Sequence, residues 1–254
     1  VAYLMGSYHY HQKHDRNTAI EWLEQALKAK SFLKRTARLL AKIYMENGQP
    51  KRSLDVFKRV GDHRVHRDTG LLAQKVRCLR AVGEHAKANE LVLALSTLDD
   101  ETGEYDALTA ARLMKEGKFD PALAAIESAK TKPKANRVNL RLLETAIKIE
   151  KGDFSSLEDT CKLAIAVGLD AGAHSLRARA EIRLGHWSQA EAELAAIGAL
   201  NYYDKLLLLR ALDLKMADME VIADPALHKN VVNQFNELLV EMRRHGEGDW
   251  FDYA

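Results

Sequence analysis

Apolar positions recur three to four residues apart along most of the chain, which is the spacing of one helix face. The stretch LLAKIYMENG (39–48) and the stretch KRSLDVFKRV (51–60) each carry one apolar stripe, with a short polar turn between them. A third example is KNVVNQFNELLVEMRR (229–244), where Val231, Val232, Phe235, Leu238, Leu239 and Met242 share a face. These patterns predict a chain of amphipathic helices with little strand.

A longer period overlies the helical one. A glycine is followed five residues later by a small residue and four after that by an apolar one. The trio reads Gly48, Ser53, Phe57, then Gly83, Ala88, Val92, then Gly117, Ala122, Ile126. It continues as Gly152, Leu157, Cys161 and as Gly185, Ala190, Leu194, with successive glycines 35, 34, 35 and 33 residues apart. Stepping back one more period from Gly48 reaches His14, followed by Ala19 and Leu23, a sixth copy without its glycine. Self-similarity at this period is the mark of a stacked repeat. The glycine is expected to end the first helix of each pair in the left-handed conformation. The small residue is expected where the second helix crosses the first.

The first copy reads Gly6, Ser7, Tyr10, Ala19, Leu23, Ala26 and the second Leu40, Ala41, Tyr44, Gly48, Ser53, Phe57. In this order the chain resembles the tetratricopeptide repeat family over roughly residues 1–200. It departs from the family pattern in lacking its tryptophan and the repeat-ending proline, and Leu79 and Lys148 replace the tyrosine in later copies. The resemblance implies an all-α fold, a right-handed superhelical solenoid of antiparallel helix pairs. We therefore expect six helix pairs over 1–200. Capping helices are expected from 201 to 254, at about residues 202–216 and 225–244, ending in an acidic, aromatic tail. A solenoid end needs such a polar-faced cap. Asp120–Pro121 and Asp224–Pro225 read as an N-cap followed by proline at the first helical position. Helical pattern begins at Val1 without a capping residue, so an upstream region is expected to be missing.

Composition narrows the function. Hydrophobic residues make up 47% and charged residues 29%, so a core can be buried. Formal net charge is only +2, which gives no bulk case for nucleic acid. No apolar run reaches the length of a membrane span. Cys78 and Cys161 are far apart and each lies in a helical pattern. Two buried free thiols and a cytoplasmic setting follow.

Motifs that carry chemistry are scarce. No phosphate-cradling glycine loop, paired-cysteine zinc spacing or His-Glu-x-x-His is found. His9, His11 and His14 form the best metal candidate, but only His11 and His14 share a helical face, and a solvated group is the better reading. His63 and His66 near an inter-repeat turn read the same way. We expect no enzyme activity, no cofactor and no metal.

The resemblance places the first helix of each pair on the concave surface, with inward positions about 10, 6 and 3 residues before the turn glycine. These are Arg38, Lys42 and Met45 in the second copy, Ala73, Arg77 and Arg80 in the third, and Ala107, Ala111 and Met114 in the fourth. In the sixth they are Ser175, Arg179 and Ile182, with Arg183 adjacent. Together with Arg35 they suggest a partner-binding groove lined by Arg35, Arg38, Lys42, Arg77, Arg80, Arg179 and Arg183, with Arg38 and Arg77 exposed. The plainer alternative is that these cations simply solvate helix surfaces. The family's asparagine-based clamp for C-terminal carboxylates finds Leu4 and Tyr8 at its positions in the first copy, so it is not expected.

The leading functional expectation is a scaffold or adaptor that binds a protein or peptide, of acidic character, in a concave, partly basic groove. The alternative is a regulatory or sensor segment of a larger signalling protein with an upstream receiver or nucleotide-hydrolysing domain. The tail GEGDWFDYA (246–254) leaves two readings open. Trp250 and Phe251 fold back on the capping helix, or the segment docks in the basic groove of the same or a neighbouring molecule, where it blocks the groove or joins molecules.

Overall fold

A computed structural model describes residues 1–98 and 101–245, with the side chains of 244 and 245 undefined. The tail that carries Trp250 and Phe251 lies outside the described residues. Those residues form sixteen helices and no strand. The chain divides into two compact units, Val1–Asp100 and Glu101–Arg243.

The first unit contains α1 (Ala2–His11) and α2 (Arg16–Lys28), α3 (Leu33–Glu46) and α4 (Pro50–Val60), and α6 (Thr69–Ala81) and α7 (His85–Thr97). A single short turn of helix, α5 (Asp62–Val65), links α4 to α6. Within each pair the two helices pack on each other, and α3 also packs on α2 and α6. The pairs close where small residues remove bulk. Gly6 on α1 meets Leu23 on α2 so closely that a Cβ there would sit 2.6 Å from Leu23 Cγ. Ala19, Leu23, Ser53, Phe57 and Ala88 are all fully buried along these seams.

The second unit pairs α8 (Glu104–Lys115) with α9 (Phe119–Thr131), α10 (Arg137–Lys151) with α11 (Leu157–Ala166), and α12 (Asp170–Leu184) with α13 (Trp187–Ala196). It continues through α14 (Tyr202–Met216), the short α15 (Met219–Ala223) and α16 (Pro225–His245). Ala122 and Ile126 from α9 form one core with Leu140 and Ile147 from α10. Cys161, Ala173 and Leu176 build the next, and Leu212, Val221 and Val231 join α14, α15 and α16.

The turn within each pair is left-handed. Gly48, Gly83, Gly117, Gly152 and Gly185 have φ between 71° and 90°. His14, which stands where the glycine is missing, takes φ 52° and so adopts the same turn with a side chain in place. The helix–turn–helix geometry is thus set by backbone handedness at one position per pair.

Three local expectations are corrected. The α9 helix starts at Phe119, so Asp120 and Pro121 lie inside its first turn and Asp120 is not the cap. A wide turn after Gly152 delays α11 to Leu157, which is only half-buried, and Thr160 and Cys161 fill the seam instead. The α15 turn appears between the two C-terminal helices. At α16 the reading holds locally, for Asp224 accepts hydrogen bonds from the Ala226 and Leu227 amides.

Candidate partner-binding site

The cations singled out on the first unit stand on α3 and α6. Arg38 is exposed on α3 and donates to Asp68 Oδ1 at 2.8 Å, while Lys34 approaches the other oxygen at 3.3 Å. Asp68 caps α6 by accepting from the Leu71 amide. Burial alone would raise its carboxyl pKa, but the amide bond and the two cations outweigh it and hold it below the usual range. One carboxylate thus serves two cations, and a positive charge is left in excess at the surface. Arg35 is exposed and has no carboxylate partner among the described residues.

Lys42 stands 3.7 Å from Glu46 and 5.3 Å above the Tyr10 ring. Tyr10 donates to Glu46 at 2.7 Å, and Arg16 approaches the same carboxylate at 3.6 Å. Burial, and then the neighbouring carboxylate, push the Tyr10 phenol far up, so it remains a donor. This cluster joins α1, α2 and α3.

Other positions depart from the expectation. Arg77 is half-buried rather than exposed, and so is Arg80. Met45 and Ala73 belong to the core and not to an open face. The cause is that α6 packs against α3, α4, α5 and α7, which buries most of its circumference, while Met45 lies on α3, which packs against α2, α4 and α6. Gly70 adds to this, since a Cβ there would fall 2.5 Å from the Arg38 guanidinium, which packs against the start of α6.

In the second unit, Arg179 pairs with Glu150 at 2.7 Å and Arg183 donates to the Glu150 carbonyl at 3.3 Å. Both residues therefore tie α12 to the end of α10. The pairs are partly exposed and still offer charge to a partner.

The histidines near the amino terminus do not converge on a site. His11 is held below its usual pKa by burial and by Lys42, and the buried His9 Nδ1 has no hydrogen-bond partner among the described residues. Among the described residues no group of three or more His, Cys, Asp or Glu could hold a metal. Both cysteines are free and buried, and burial pushes Cys78 up to about 12 despite its contact with Ser53 Oγ at 3.0 Å. That thiol is a core group, not a nucleophile.

Sequence reasoning missed one feature. The turn between α2 and α3, together with α5, encloses an open cleft of about 590 Å³ lined by Lys30, Phe32, Leu33, Lys34, Arg35 and Arg64. Phe32 is 56% exposed, with its ring 5.4 Å from that of Tyr3. Lys30 and Phe32 hold φ of 52° and 45° without being glycine. Each such residue costs about 1–2 kcal/mol. One signal could have pointed here, for residues 25–45 contain six Lys or Arg and no Asp or Glu.

The helix pairs define the class as an all-α fold of successive packed helix pairs. No family model and no curated protein matches the chain. Among solved structures it is similar to a tetratricopeptide repeat protein from Parabacteroides merdae ATCC 43184, with 16% sequence identity and a TM-score of 0.49. That match covers 95% of this chain and 99% of the other. No helix among the described residues is long and apolar enough to cross a membrane.

Proposed function

We propose that the chain is a protein–protein interaction scaffold that holds an acidic peptide or protein segment on the first-helix face of its first unit. Arg35, Arg38 and Lys42 on α3, with Arg77 and Arg80 on α6, are the residues assigned to this face. The supporting observation is the sharing of Asp68 by Lys34 and Arg38 beside an Arg35 that has no carboxylate partner among the described residues. An incoming carboxylate gains charge-assisted hydrogen bonds there without stripping the resident cap from α6. Arg179 and Arg183 offer a second, separate locus on α12. We assign the chain no catalytic step.

A display selection of random peptides against the protein tests this reading. Enriched peptides are expected to be net acidic. They should bind Arg38→Glu/Arg77→Glu at least about tenfold more weakly, with unchanged circular dichroism and a cooperative melt that is lowered because Arg38 leaves Asp68 and Arg77 is half-buried. Enriched peptides without an acidic bias, or binding indifferent to both charge reversal and salt, would overturn it.

A further inference from the structure

The cleft between the α2–α3 turn and α5 combines features that the ion-paired first-helix face lacks. Its rim carries Lys30, Arg35 and Arg64, all exposed and without a carboxylate partner among the described residues. Phe32 and Leu33 give its lining an apolar part. An exposed aromatic ring costs free energy in water. Here it is also displayed by a strained turn, in which two of the four residues from Ala29 to Phe32 hold left-handed φ without being glycine. Strain of this kind persists where the surroundings impose it, and it gathers at ligand-binding sites.

The shape and chemistry select the occupant. A lone phosphate or sulfate would use the cations but leave the apolar part wet. The volume lies in the range that accepts several side chains. A single-stranded nucleic acid would need a succession of stacking platforms, whereas Phe32 is one ring already flanked by Tyr3. What fits is one or two aromatic side chains bracketed by carboxylates. The chain itself contains that sequence in Asp249, Trp250, Phe251, Asp252 and Tyr253.

We propose that the Lys30–Arg35–Arg64 cleft seats the Asp249–Tyr253 segment of a second copy of this chain. Trp250 or Phe251 covers Phe32 and Leu33, and the two aspartates meet the rim cations. The inference rests on the protein-binding reading above and shares Arg35 with it, but it takes Lys30 and Arg64 in place of Arg38 and Arg77. The contact is heterologous, with the tail of one molecule in the cleft of the next, so assembly grows with concentration into chains or rings.

Sedimentation of the 254-residue chain over a concentration series tests it. Wild type should gain mass with concentration. Lys30→Glu/Arg64→Glu and Asp249→Lys/Asp252→Lys should each associate at least about tenfold more weakly when alone. Mixing those two variants should restore association, because each tail then meets a cleft of opposite charge. Trp250→Ala/Phe251→Ala should also be weakened, and so should Phe32→Asn, which keeps a residue that tolerates the left-handed turn. Melting curves should show every variant folded. Arg38→Glu/Arg77→Glu should associate as wild type does, which separates this cleft from the first-helix face. A wild type that stays monomeric to about 1 mM would overturn the proposal, as would association that survives Lys30→Glu/Arg64→Glu. So would a failure of the mixed pair to recover. Binding of a poly(U) strand that is lost in Lys30→Glu/Arg64→Glu, without self-association, would overturn it in favour of nucleic acid.

Discussion

The Arg38 guanidinium reaches from α3 to Asp68 at 2.8 Å, and Asp68 is at the same time the N-cap of α6. One carboxylate therefore sets both the start of a helix and its docking on the preceding pair. Gly70 leaves the room in which the guanidinium lies. Asp68→Ala should cost about 1 kcal/mol through the lost cap, plus a fraction of that from the half-exposed ion pair. In a double-mutant cycle, Arg38 and Asp68 should couple by about 0.2–1 kcal/mol. Gly70→Ala should remove the coupling while sparing the cap, because its methyl displaces the end of a flexible side chain. Coupling that persists in Gly70→Ala would show that Arg38 reaches Asp68 by another path.

His14 performs the turn that glycine performs in the other five pairs, at φ 52°. His14→Gly relieves about 1–2 kcal/mol of left-handed strain against about 0.5–1 kcal/mol of added chain entropy in the unfolded state. We predict a protein as stable as wild type or up to about 1 kcal/mol more so. His14→Val should melt lower, because a β-branched residue tolerates this conformation least. Chemical denaturation of both variants checks the order.

Ala122 is fully buried where α9 packs on α8, in the core that contains Ile126 and Ile147. Ala122→Leu should cost about 1–3 kcal/mol by overpacking. Denaturant melts of the second unit measure it. Unfolding need not be two-state, because the pairs contact mainly their neighbours.

Glu144 is buried among Lys130 at 2.7 Å, Lys148 at 2.8 Å and Arg141 at 3.9 Å. Burial would raise its pKa, but Lys130 and Lys148 outweigh that and hold it below the ordinary carboxylate value. A carboxylate depressed in the folded state stabilises fully above its unfolded pKa and loses that contribution as pH falls through the folded one. The stability gap between wild type and Glu144→Gln should thus be constant above about pH 5 and close progressively below about pH 4.5. A gap that stayed constant down to pH 3 would assign the effect of Glu144 to packing.

The helix pairs were legible because each depends on one local signal, a left-handed residue followed by a small one five positions later. That signal survives even the loss of the glycine at His14. Where the turn lengthens, as after Gly152, the spacing rule misplaces the seam, and Thr160 rather than Leu157 is buried. The cation positions were legible as residues but not as contacts. Arg38 and Asp68 are 30 residues apart, so nothing local couples them. A face rule misplaces Ala73 and Met45 because it assumes that each first helix keeps an open face, whereas α6 is covered on several sides and α3 packs against α2, α4 and α6. The cleft was hidden for another reason. It is made by left-handed turns at Lys30 and Phe32, residue types that carry no such preference.

Charge-swap binding tests the scaffold reading most directly. An acidic peptide enriched by selection is titrated into wild type and into Arg38→Glu/Arg77→Glu. The same is done with a version of the peptide whose acidic residues are replaced by lysine. The reading predicts that wild type binds only the acidic peptide and that the variant binds only the lysine form. Equal binding of the acidic peptide by both proteins, with both folded, would contradict it.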